Sequence, residues 1–140
     1  MLNILIDANI VVDVMTTREP FFDMSARVLD AVEFKIVDGY ISATSVTNIY
    51  YIARRTLKDR AATRELLKKI LRVVKVAAVS ETEIFTAINL PWADFEDAVQ
   101  FTTAKSFRAD YIITRNVKDF SASEIPAVTP EEFCRILLDA

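Results

Sequence analysis

Short apolar runs recur along the chain, and each is followed by polar residues. The run from Leu2 to Ile6 is apolar except at Asn3 and ends at Asp7, which predicts a strand buried on both faces, as in a parallel sheet. The same pattern predicts strands at Tyr40 to Ala43, Val73 to Val79 and Tyr111 to Ile113, and a short fifth strand at Ala127 and Val128.

Between these runs, apolar residues recur every three to four positions, which predicts amphipathic helices. One helix is expected from Asn9 to Met15, and a second from Pro20 up to a turn at Asp38-Gly39. Residues that favour helix caps mark the remaining starts: Thr44 or Ser45, Asp59, Ser80 with Glu83, Asp94 at the head of a helix to Phe107, and Thr129 with Pro130 and Glu132.

Strands that alternate with helices predict a mostly parallel sheet, because parallel neighbours need crossover helices between them. We therefore expect a three-layer, Rossmann-like α/β fold with four to five strands flanked by helices. The length of 140 residues predicts one domain over residues 1–140. In sheets of this kind ligands bind beyond the carboxyl ends of the strands, so the polar residues found there are the candidates for chemistry.

Composition removes several classes of enzyme. The chain has no histidine and one cysteine, which excludes Ser-His and Cys-His nucleophile pairs and any ordinary zinc site. Its single glycine, Gly39, excludes glycine-rich phosphate and dinucleotide loops. Any chemistry must come from carboxylates, amides, hydroxyls and cations.

Charge is unevenly distributed in a chain whose net charge is -3. The basic segment, from Arg54 to Lys75, carries nine basic residues against two acids. Such a segment can attract a phosphate backbone, although a solvated helix face explains it equally well. The longest apolar stretches are far shorter than the roughly 20 residues of a membrane span, and Met1 to Ile6 lacks signal-peptide features, so a cytoplasmic location is expected.

Oxygen-bearing side chains follow the predicted strands. Asp7 comes directly after the first strand, Asn48 lies in the helix after the second, and Thr114 to Asp119 follow the fourth. Asp97 lies near the start of the helix that begins at Asp94. Asp94 is interpreted as the cap of this helix, and Asp97 as the ligand that points inward. Oxygen ligands of this kind favour Mg²⁺ or Mn²⁺, and bound metal can activate water against a phosphodiester. Taken singly, Asn116 and Asp119 are better explained as turn residues, and only their combination with the other acids favours a site.

Three motifs in this order and spacing resemble the PIN-domain family, which includes the VapC-type toxins of bacterial toxin-antitoxin pairs. They are Ile4 to Asn9, Asp94 to Ala98 and Tyr111 to Phe120. The resemblance implies a ribonuclease with Mg²⁺ or Mn²⁺ in an acidic pocket. It assigns the metal cluster to Asp7, Asp97 and Asp119, places Asn116 and Thr114 beside them, and gives Asn9 the role of orienting Asp7 or capping its helix.

Asn48 departs from the family pattern, because members commonly have glutamate on this helix. Its amide oxygen can ligate a hard cation without adding charge, so weaker metal binding is expected. Asp13 can compensate if it points inward, but a position on the surface of the first helix is preferred.

The leading hypothesis is therefore a metal-dependent RNA endonuclease with phosphate contacts at Arg54, Arg55, Lys58 and Arg115. The resemblance also extends to an antitoxin protein as partner and to a homodimer. The alternative is a non-catalytic PIN-like module that binds RNA or protein, for which the neutral Asn48 is the motive. A phosphoacceptor receiver or a related phosphatase ranks lower, since Asp7 is followed by Ala8 rather than by a second acid.

Overall fold

The computed structural model describes residues 1–139, and its centre is a five-stranded sheet in which every neighbouring pair is parallel. The spatial order is β3-β2-β1-β4-β5, so the first strand lies in the middle. The strands are β1 (Asn3–Ile6), β2 (Asp38–Ser42), β3 (Lys75–Ala77), β4 (Tyr111–Ile113) and β5 (Ala127–Val128). The predicted three-layer α/β fold is confirmed.

Helices cover both faces of this sheet, as crossover connections between parallel strands require. Within residues 1–139 there are seven: α1 (Ala8–Met15), α2 (Phe22–Glu33), α3 (Ala43–Leu57), α4 (Arg60–Val73), α5 (Glu81–Ile88), α6 (Phe95–Ser106) and α7 (Pro130–Asp139). A short 3-10 helix, Val117–Phe120, follows β4. None of the helices in the described residues is both long and apolar enough to cross a membrane.

Alternation along β1 divides the core in two. Ile4 and Ile6 belong to the larger cluster, which contains the apolar faces of α1, α2, α3 and α7, whereas Leu5 belongs to a cluster on α6 and the 3-10 helix. All three side chains are fully buried. The three consecutive apolar residues are thus explained by a central strand that has helices on both sides.

Most helix starts lie where the capping residues predict them. The Asp59 carboxylate accepts from the N–H of Ala62 at 3.0 Å, and the Ser80–Glu83 capping box is present. Thr129 and Glu132 likewise bond each other at the start of α7. The start of α3 was misassigned: its N-cap is Ser42 rather than Thr44 or Ser45, because β2 passes into the helix without a loop.

The turn predicted at Asp38-Gly39 is also wrong, since both residues lie inside β2. A Cβ built on Gly39 would stand 2.5 Å from Cγ2 of Val32. Val32 lies on α2 and is 7% exposed. The glycine therefore serves the close approach of helix to strand and not a change of direction.

Candidate active site

The site lies where the order of the strands reverses. From β1 the chain moves outward to β2 and β3 on one side, and then crosses to β4 on the other side of β1. The carboxyl ends of β1 and β4 therefore face a crevice between diverging connections, which is where sheets of this type bind ligands. Asp7 and Thr114 stand directly after these two strands.

Asp7 is held rigidly by three donors. Its Oδ1 accepts from the N–H of Ala8 at 2.8 Å, which makes Asp7 the N-cap of α1, and from Nε2 of Gln100 at a longer 3.4 Å. Its Oδ2 accepts from the Thr114 hydroxyl at 2.8 Å. Burial raises the pKa of Asp7, and these hydrogen bonds and the charge of Arg115 partly oppose that rise.

Asp97 occupies the first turn of α6, where its N–H donates to the Asp94 carboxylate at 2.9 Å. Burial, followed by the negative charges of Asp94, Asp7, Asp119 and Glu96, raises the pKa of Asp97 from 3.8 to about 7. Side chains from the ends of β1, β4 and α6 thus share one electrostatic environment. These charges act at the carboxyl edge of the sheet, where the sequence predicts the metal cluster.

Asp119 and Asn116 belong to the segment after β4. Asp119 is exposed on the 3-10 helix, and Asn116, the residue before that helix, donates its N–H to the Thr114 hydroxyl at 3.1 Å. Thr114 is fully buried, and its hydroxyl connects this turn to Asp7 through hydrogen bonds to both. The hydroxyl accepts one bond and donates another, as its chemistry allows.

The aspartates do not form a complete metal-binding site in the described residues. Among residues 1–139, no three acidic or thiol side chains stand close enough to hold one ion as they are placed. The ligand distances implied by the sequence prediction are thus absent from this conformation. The donor types nevertheless fit a hard cation, because Oε1 of Gln100 is buried without a partner in this part of the chain, beside carboxylates that repel one another.

Two residues near the site were missed by the sequence reasoning. Gln100 is 3% exposed and lies one turn after Asp97 on the same helix, a spacing that places both on one face. Glu96 accepts a hydrogen bond at 2.8 Å from Nδ2 of Asn48, which joins α6 to α3. The spacing signalled Gln100, whereas nothing local to Asn48 signalled its contact with Glu96.

Asp13 corrects a sequence expectation, because it is fully buried rather than on the surface. Nε of Arg115 lies 3.0 Å from its Oδ2, although neither atom has a well-aligned hydrogen bond, so the contact is an ion pair. Burial raises the pKa of Asp13, while the charges of Arg115 and Arg18 and the Ser25 hydroxyl oppose the rise. Asp13 is therefore committed to Arg115 and does not replace the charge missing at Asn48.

The other predicted residues lie further from the crevice. Arg54 and Arg55 are in the last turn of α3 and Lys58 caps its end, roughly 10 to 15 Å along the helix axis from Asn48 at 1.5 Å per residue. Within residues 1–139 none of these three forms an ion pair. Asn9 does not cap α1, because Asp7 does, and its buried amide oxygen has no partner among these residues.

These features, a parallel sheet with the reversed strand order and acids at its switch point, define a class that a family model also identifies. The PIN-domain model matches residues 3–118, and the chain belongs to the PIN-domain family.

Individual relatives agree with this assignment. The chain is 25% identical over 136 residues to Ribonuclease VapC1 of Aquifex aeolicus (strain VF5), an alignment that covers 94% of this chain and 92% of that protein. Its fold is similar to that of VapBC2 from Rickettsia felis bound to a DNA fragment from their promoter, with a TM-score of 0.70, 17% identity and coverage of 91% and 98% of the two chains. A toxin-antitoxin complex from Klebsiella pneumoniae matches with a TM-score of 0.65, 24% identity and coverage of 90% and 96%.

Proposed function

We propose that this chain is a divalent-metal-dependent endoribonuclease of the toxin-antitoxin kind. The observation that carries the proposal is Asp97, whose pKa is raised by burial, by the neighbouring Asp94, and by the charges of Asp7 and Asp119 from separate parts of the chain. A cation that neutralises such a group lowers its electrostatic cost. Membership in the PIN-domain family and the similarity to a protein named Ribonuclease VapC1 support RNA as the substrate.

The proposed ligands are Asp7, Asp97 and Asp119, with the amide oxygens of Asn48 and Gln100 as neutral donors. Mg²⁺ or Mn²⁺ bound there would supply an activated water and stabilise negative charge on the phosphate. Asp119 is exposed on a short helical turn, so its side chain can rotate towards Asp7 and Asp97. Oxygen-only donors match the preference of these cations and the absence of histidine from the sequence.

The chain's own residues perform the positioning. The bonds from Ala8 and Thr114 keep Asp7 in one orientation and favour its ionised form. Thr114 is itself fixed by the N–H of Asn116, so the turn after β4 and the end of β1 are held together. In this arrangement Thr114 and Asn116 orient the site, and the aspartates carry its charge.

A route for single-stranded RNA runs along α3. Asn48, Tyr51 and Arg55 are spaced by about one turn and therefore share a stripe of that helix. Tyr51 is 61% exposed, which leaves its ring free to stack on a base. Arg54, Arg55 and Lys58 then contact phosphates, whereas Arg115 already has Asp13 as its partner.

An antitoxin protein is the proposed partner, because fold neighbours include a complex described as toxin-antitoxin. We further propose a homodimer and a cytoplasmic location, as expected for an enzyme that acts on cellular RNA. Light scattering of the purified chain, alone and with the product of an adjacent small gene, measures both associations.

A nuclease assay with and without Mn²⁺ tests the proposal on the wild type, Asp7→Asn and Asp97→Asn. Each variant should lose activity by about 100-fold or more, since even outer-shell partners of metal ligands are worth about 10- to 100-fold. Asp30→Asn, an exposed aspartate on α2, is the matched control and should cleave normally. Wild-type cleavage by either site variant would remove that residue from the mechanism.

A non-catalytic RNA- or protein-binding module is the second candidate. The neutral Asn48 and the lack of a closed three-ligand cluster in the described residues favour it. The same assay separates the two hypotheses. RNA binding with no cleavage at millimolar Mn²⁺ or Mg²⁺ would favour the module.

A further inference from the structure

Glu96 and Asn48 form a contact that the hydrophobic core does not require. Both side chains are exposed, and they come from helices on opposite sides of the crevice, yet Nδ2 of Asn48 lies 2.8 Å from Oε1 of Glu96. Two flexible polar side chains gain little net stability from such a bond in water, because it replaces bonds to solvent. Its effect is instead to favour one position of the Glu96 carboxylate among those open to a flexible side chain.

That position is at the edge of the acidic site. Glu96 directly precedes Asp97 in the first turn of α6, where the helix dipole favours carboxylates. The bond to Asn48 uses Oε1, which leaves Oε2 available to a cation or to a water bound by one. It also fixes the Asn48 amide, so that its oxygen is the atom left for coordination.

A separate observation supports a ligand at this site. Gln100 is only 3% exposed, and its side-chain amide lies beside the Asp7 carboxylate. Its nitrogen faces the carboxylate, and its oxygen is buried without a partner in the described chain. A buried acceptor of this kind carries a desolvation cost that a cation or its hydration water offsets.

We propose that Glu96 is an additional carboxylate of the cation site, positioned by the Asn48 amide. Asn48 then contributes by orienting an acid rather than by lacking one. The inference rests on the proposed function, because it takes Asp7 and Asp97 as ligands.

Isothermal titration of the intact chain with Mn²⁺ tests this without any need for cleavage. Glu96→Gln keeps an acceptor for Asn48 but removes the charge, so a purely structural bond would leave Mn²⁺ affinity unchanged. We expect a loss of about tenfold or more, within the range for groups that support metal ligands. The matched control is Glu81→Gln, an exposed acid in the first turn of α5 that does not contribute to the raised pKa of Asp97.

A double variant makes the test sharper. Asn48→Glu combined with Glu96→Gln returns a carboxylate to the same corner of the site from α3, and should recover most of the lost affinity. Failure of the double variant to bind better than Glu96→Gln would count against a role for charge at this corner.

Asp97→Asn distinguishes a failure of the Glu96 inference from a failure of the proposed metal site. If it loses Mn²⁺ binding while Glu96→Gln binds like the wild type, the inference about Glu96 is overturned and the proposed site stands. If the wild type itself binds no Mn²⁺, or if Asp97→Asn binds normally, the proposed metal site fails and the role of Glu96 fails with it.

Discussion

At the scale of single residues, the site is a set of carboxylates that are held at an electrostatic cost. Burial raises the pKa of both Asp7 and Asp97, but nearby donors oppose the rise at Asp7, whereas four other acids add to it at Asp97. Unequal environments of this kind separate the pKa values of neighbouring carboxylates. Perturbed pKa values of this kind cluster at functional sites.

The pKa of Asp97 leads to a prediction about pH and stability. Its value of about 7 in the folded chain lies above the ordinary 3.8, so the folded state holds the proton more tightly than the unfolded state. The resulting stabilisation is present at low pH and is lost as pH rises between these two values. In EDTA, Asp97→Asn and the wild type should therefore have the same melting temperature near pH 3.8. Near pH 7 the variant should melt a few degrees higher than the wild type.

Differential scanning fluorimetry across this pH range measures the effect. Asp30→Asn on α2 provides the comparison, because it removes an exposed aspartate outside the acidic site. A melting difference for Asp97→Asn that does not grow with pH would contradict the electrostatic origin of the shift.

At the scale of elements, α1 is tied to the turn after β4 by the pair Asp13 and Arg115. Asp13 has no exposed surface, and the Arg115 guanidinium stacks over the Phe21 ring with its central carbon 4.1 Å from the ring centroid. The pair links the two segments that provide Asp7 and Thr114. A buried ion pair gives modest net stability but becomes costly when one partner is lost.

Arg115→Met should consequently destabilise the chain by about 3 to 5 kcal/mol, since it removes the ion-pair partner of the buried Asp13 carboxylate and leaves only the weaker influence of Arg18. Urea denaturation measures the loss. The double variant Asp13→Leu with Arg115→Met should lose much less, because two apolar side chains replace the pair. Equal losses in the single and double variants would show that packing of Arg115 on Phe21, and not charge, is what matters.

At the scale of the whole molecule, charge is divided between an acidic crevice and the basic segment on α3 and α4. Lys68 pairs with Glu65 and Lys75 pairs with Asp38, whereas Arg54, Arg55 and Lys58 form no ion pair within residues 1–139. These three cations lie at the far end of the helix that begins at the crevice. A polyanion can therefore be attracted to this surface while the acids repel it elsewhere.

Replacing Arg54, Arg55 and Lys58 by alanine should reduce the dependence of single-stranded RNA affinity on salt. Three lost phosphate contacts lower the slope of log affinity against log salt by about 2, at roughly 0.7 per contact. Fluorescence anisotropy over a salt series measures the slope, and the ion-paired Lys68 and Lys75, changed together, provide the control. A slope equal to that of the wild type would place the RNA on another surface.

Local sequence was enough to predict most of the elements. The strands after Leu2 and before Thr114 follow from runs that are apolar apart from Asn3. Asp59, Ser80 and Thr129 mark helix starts through bonds to neighbours a few residues away. Errors arose where a distant contact decided the outcome. The sequence predicted a turn at Gly39, whereas its small size is required by the contact with Val32 of α2.

The sequence by itself determined the order of strands and helices and the placement of Asp7, Asp97 and Thr114 near strand or helix ends, because periodicity and capping depend on adjacent residues. Only the tertiary structure decided that Asn48 would meet Glu96, and that Asp13 would be buried against Arg115. Those contacts join segments far apart in the chain, and they depend on crossover geometry and side-chain direction. Neither quantity is encoded in any local stretch of residues.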